Sequence, residues 1–259
     1  MLNLADGVQR HFTFDRAQEN ASPVWSPDGQ RLVFRSRRGT KWVLVEKAAD
    51  GTGTETMLGE FSHPASPMSW SPDGTHLLFM VADPVTNWDI WQYSFAERKA
   101  TPLLNAQENE GFPQFSPDGR WFAYALHTAS TVQLFVESFP RGRGKWQVPS
   151  ERAHYPRWRA DGRELFFLHP RPDQSGPWAM MAVDVGGAGA GLEFGPPRRL
   201  FEAPGIYGAV ARYSGNYLAW AVSGDGQRFF LPQPVAVERP AGLAPLVVIM
   251  NHAGLRAWQ

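Results

Sequence analysis

Cysteine is absent from the 259 residues. That excludes disulfides, thiolate nucleophiles and cysteine-bound metals, and leaves either redox compartment open. Long apolar runs are missing as well. The longest, around Leu246–Met250, falls far short of the roughly 18 residues a spanning helix needs, so no membrane span is expected. Met1 to Asp15 lack a basic segment followed by an apolar stretch, so no signal peptide is expected in this chain. An excess of charge is also lacking: 25 Lys plus Arg balance 25 Asp plus Glu. A nucleic-acid partner would ordinarily call for a basic excess, so none is expected. The chain contains no P-loop, no His-Glu-x-x-His, no Gly-x-Ser-x-Gly and no kinase signature.

Turn formers and aromatics are plentiful. With 25 Gly and 22 Pro, turns must be frequent and long helices rare. A 43% hydrophobic and 13% aromatic composition, with 11 Trp, supports a core without covalent staples.

Self-similarity organises the chain. Ser-Pro-Asp-Gly occurs at 26–29, 71–74 and 116–119, a spacing of 45. Degenerate copies follow at Arg159-Ala160-Asp161-Gly162 and Ser223-Gly224-Asp225-Gly226. An aromatic precedes four copies (Trp25, Trp70, Phe115 and Trp158), and an apolar run such as Leu32-Val33-Phe34 follows each. Pro presets the first corner of a tight turn, Asp bonds locally and Gly accepts positive φ, so each copy reads as the tip of a β-hairpin. Pro23, Pro113 and Pro156 lie in the leading strands, where a missing N–H is tolerated only at a sheet edge. A third strand, such as Lys41–Val45 or Trp88–Tyr93, and a fourth, such as Glu55–Leu58, complete each period. Four short strands per period predict an all-β protein, a β-propeller of five recognisable four-stranded blades forming one domain over 1–259. Leu2–Gly7 and Gln9–Phe14 read as strands that complete the C-terminal blade and close the ring, with Pro245–Asn251 as one more strand. An incomplete ring would expose strand edges and drive oligomerisation. Gly186–Gly191 contains Gly-x-Gly-x-Gly but has no following helix, and reads as a hairpin tip. Arg35–Arg38 and Arg141–Lys145 read as solvated hairpin tips, and the five turn aspartates as structural.

The string Ser22-Pro23-Val24-Trp25-Ser26-Pro27-Asp28-Gly29, led by Phe14-Asp15, resembles the TolB-type propeller repeat. Gly144–Val148 with Pro156–Phe167, and the ending Pro245–His252, are similar to propellers that follow bacterial receptor-like serine/threonine kinases. The family usually has six blades, so the chain is expected to be a truncated version or a piece of a longer protein. The resemblance implies a bacterial, extracytoplasmic or periplasmic binding platform for protein or small-molecule ligands.

Ligand sites in such folds lie where the chain leads into each inner strand. Those segments carry Glu19, Asn20, His63, Asn109, Glu110 and His154, with Tyr155, Tyr207 and Arg212 as further ligand-face candidates. The oxygen-bearing members suit calcium, and the histidines with a carboxylate suit zinc. The leading expectation is a non-enzymatic sensor or binding module. The alternative is a metal-dependent hydrolase of esters, lactones or phosphotriesters with its ion in the central channel.

Overall fold

The computed structural model describes residues 12–13, 17, 19–171, 176–187, 191–203 and 220–231. No helix occurs among them. The strands fall into two compact units, residues 1–107 and 108–259.

The first unit holds two blades. One runs β1 (Glu19–Trp25), β2 (Arg31–Arg38), β3 (Lys41–Ala48) and β4 (Thr56–Phe61). The next runs β5 (Ala65–Trp70), β6 (His76–Asp83), β7 (Asn87–Ser94) and β8 (Lys99–Leu104). Both are antiparallel meanders in sequence order. Val33 and Leu44 of the first blade pack against Leu77, Phe79 and Tyr93 of the second.

The second unit repeats the plan. Its first blade is β9 (Asn109–Phe115), β10 (Trp121–His127), β11 (Val132–Ser138) and β12 (Lys145–Glu151). The following blade is β13 (His154–Trp158), β14 (Glu164–His169) and β15 (Trp178–Gly186), whose outer edge pairs with β16 (Glu193–Phe194) and β17 (Arg198–Ala203). Gly186 pairs with Glu193 across β15 and β16, and residues 188–190 of the glycine-rich loop lie outside the described residues. An inner hairpin, β18 (Ala221–Val222) with β19 (Phe229–Phe230), starts a further blade. Leu134, Val136 and Val148 meet Leu165, Phe167 and Val183 in one apolar seam. The expected closing strands at both ends of the chain lie outside the described residues.

The repeated turn closes on itself. Gly29 N–H donates to the Ser26 carbonyl at 2.9 Å, with Gly29 at φ +68°. Ser26 Oγ donates to Asp28 Oδ1 at 2.5 Å and accepts from Arg31 N–H at 2.9 Å. The same pair of side-chain bonds recurs at Ser71–Asp73, Ser116–Asp118 and Ser223–Asp225. Where Arg159 replaces the serine, its guanidinium bonds both Asp161 oxygens, at 2.7 and 2.8 Å. The serine hydroxyl, first among the causes, holds Asp28, Asp73 and Asp225 below the usual carboxylate range. The Arg159 side chain takes Asp161 down to about 2.

Every complete blade places its proline-bearing strand at one sheet edge, as the missing N–H requires. The strand is also bulged there. Register shifts occur at Ala21/Val24, Pro67/Ser69, Ala123/Ala125 opposite Phe112-Pro113, and His154/Arg157. The residue before proline is left-handed at Ser22 (φ +55°), Phe112 (+57°) and Tyr155 (+55°).

One sequence expectation is corrected. Within Arg35–Arg38, read as a solvated tip, Arg37 and Arg38 are exposed beside the Gly39-Thr40 turn, but Arg35 is buried in β2. Its guanidinium bonds Glu19 Oε1 at 3.1 and 2.5 Å and Ser66 Oγ at 3.0 Å, tying the two inner strands of the first unit together.

Candidate functional site

The segments expected to be loops leading into the inner strands are mostly strand already. Glu19 and Asn20 open β1, Asn109 and Glu110 open β9, and His154 and Tyr155 open β13. The difference is that pairing resumes beyond the proline bulge, so these polar residues are part of the ladder. Only His63 stays in a bend, exposed, near enough to Asp83 to favour that carboxylate. Tyr207 and Arg212 lie outside the described residues.

In the first unit, the Glu19 carboxylate serves Arg35, and Asn20 is exposed. In the second, Glu110 is buried, and burial together with the charges of Glu137 and Glu110 raises the Tyr124 phenol. Among the described residues, no three of His, Asp or Glu stand together as a metal-holding group.

His154 and Tyr155 do come into one place with residues the sequence did not single out. The β10–β11 turn, the β12–β13 turn and the start of β15 surround a cavity of about 460 Å³ in the second unit. Phe112 and Tyr155, equivalent bulge residues of neighbouring inner strands, pack at a tilt of 47° with ring centroids 4.2 Å apart. His154 lies 4.9 Å from the Trp178 ring and 5.3 Å from the His127 ring. Tyr155 and Trp178 are buried, while Thr128, Ala129 and Ser130 at the rim are exposed. Burial lowers His127 to about 4 and raises Tyr155 to about 12, so at neutral pH both are uncharged hydrogen-bonding groups. Among the described lining residues, Arg152 is the permanently charged one, exposed and held at φ +54°. A concave wall of rings with a few polar groups has the make-up of a ligand-binding surface. Phe112 was findable, since Phe112-Pro113 stands in the repeat where Tyr155-Pro156 does. His127 was not, because its neighbour comes from another blade.

The family described as PD40, TolB beta propeller domain, matches residues 1–190. The Tol-Pal system protein TolB of Anaeromyxobacter dehalogenans (strain 2CP-C) is 32% identical over 126 residues, 47% of this chain and 27% of that protein. The match therefore spans only about a quarter of that relative's length. TolB from Acinetobacter baumannii superposes with a TM-score of 0.67 at 19% identity, over 89% of this chain and 53% of that one. Oligogalacturonate lyase from Vibrio parahaemolyticus gives 0.60 at 12% identity, over 90% and 67%. At these identities the two structural likenesses speak for the fold.

Proposed function

The chain belongs to the TolB β-propeller domain family, and on that premise we propose that it is a binding module that engages a protein ligand through the leading ends of its inner strands. The cavity lined by Phe112, His154, Tyr155 and Trp178 carries this reading. It is concave, walled in part by aromatic rings, and built by two neighbouring blades that hold one another in place. Aromatic rings of this kind anchor protein interfaces because they bury much area at little entropic cost. The hydrolase alternative asks for several ligands around one ion, and no observation among the described residues favours it. An extracytoplasmic setting goes with the family resemblance.

The absence of cysteine supplies the test. A single cysteine at Ser130, on the cavity rim, or at Arg120, on the turn at the far end of the same blade, takes a maleimide photo-crosslinker. Binding through the cavity end predicts a protein captured from position 130 and not from 120. That partner, purified, should bind the Tyr155→Ala/Trp178→Ala double variant at least about tenfold more weakly. Equal capture at both positions, or unchanged affinity, would refute the reading.

A further inference from the structure

Two histidines from neighbouring blades meet in the wall of the cavity. His127 ends β10 and His154 opens β13. His127 is paired on both sides, with Asn109 of β9 and Val132 of β11, and His154 pairs with Leu168 of β14. The ladders therefore hold both backbones, and the apolar seam between the two blades fixes one against the other. The rings are packed as well. His127 lies 6.0 Å from the Phe112 ring, and His154 lies 4.9 Å from that of Trp178. Imidazoles supported in this way keep their separation before any ligand arrives.

That separation, 5.3 Å between ring centroids, matches two imidazoles on one tetrahedral ion. A zinc–nitrogen bond of about 2.0–2.1 Å, extended by about 1.1 Å to the ring centre, puts each centroid about 3.2 Å from the metal. At a tetrahedral angle the two centroids then stand about 5.2 Å apart, whereas a right angle gives about 4.5 Å. The Cβ–Cγ bond points through the ring centre, so turning a ring presents a nitrogen without moving its centroid. Ligation takes one nitrogen of each ring and leaves the other to bond within the protein, as metal-binding histidines ordinarily do.

We propose that His127 and His154 form a two-imidazole site for a zinc ion, whose remaining positions accept water or a donor atom of a ligand in the cavity. Nitrogen ligands and tetrahedral spacing favour zinc over calcium or magnesium, which take oxygen ligands. The ion is a second occupant of the cavity, and its binding does not depend on the protein partner inferred above.

The test is calorimetric titration of zinc chloride into the whole chain, stripped of metal beforehand. Two protein ligands hold an ion only moderately, so one zinc per chain with a Kd of about 10–100 µM is expected. His127→Gln and His154→Gln should each weaken binding by about tenfold or more. His63→Gln, in the exposed bend of the first unit, should leave it unchanged. Circular dichroism verifies the fold of each variant. Should one fail to fold, the imidazole nitrogen resonances of the unmutated protein decide: two of its seven histidines should shift on adding zinc, and both shifts should persist in His63→Gln. No saturable zinc binding, unchanged affinity in either folded variant, or a nitrogen shift at fewer than two histidines would overturn the site. None of these failures touches the crosslink from position 130, so the binding-surface reading stands or falls separately.

Discussion

The serine of the repeated turn shows how much one atom can do. Ser71 Oγ donates to Asp73 at 2.6 Å, accepts from His76 N–H at 2.8 Å, and is buried. Ser71→Ala leaves that N–H without a partner, and urea denaturation should show a loss of about 1–2 kcal/mol. Arg159 replaces a serine at the same place and still holds its aspartate. His127 responds to pH instead. The unfolded chain takes up the proton near 6.5 and the folded protein only near 4. Stability present at neutral pH is therefore lost as pH falls through that window, by about 1–3 kcal/mol. His169, also lowered by burial, works in the same direction. The urea midpoint of His127→Gln should fall less between pH 7 and pH 5 than that of the parent, whereas equal slopes would mean that His127 does not set the dependence.

A blade is the element that recurs, and its centre is the second strand. In β14, Leu165, Phe166, Phe167 and Leu168 are all essentially inaccessible, and Phe167 joins the seam with Leu134 and Val148. Phe167→Ala should cost about 3–5 kcal/mol, read from chemical denaturation. The same change at half-exposed Trp25 should cost far less. These hairpins were legible in the sequence because Pro, Asp and Gly each encode a local backbone preference, because an apolar run follows every copy, and because an aromatic precedes four of the five. What was not legible depended on distance along the chain. Arg35 reads as part of a basic tip until Glu19 and Ser66 are placed beside it. The bulge at each inner proline extended the strands backward over residues that composition assigns to loops. His154 and Tyr155 were legible as candidates from their place before an inner strand, whereas the rings that complete their wall arrive from β9, β10 and β15.

For the whole molecule, the balance of 25 cationic and 25 anionic side chains removes mutual repulsion. Solubility should therefore pass through a minimum near pH 7 and rise on either side, as turbidity across a pH series would show; a flat profile would contradict this. Family membership and fold follow from the repeat, whereas the ligand follows from a single cavity, so the two can change independently. The turns bear on how the protein came to have its length. The side-chain hydrogen bonds of Ser26 and Asp28 end within the six residues from Ser26 to Arg31. The serine and aspartate of such a turn therefore set its shape from within. A gene segment encoding one blade carries its own turn with it when it is copied or moved, and drift to Arg159 still leaves a closed turn.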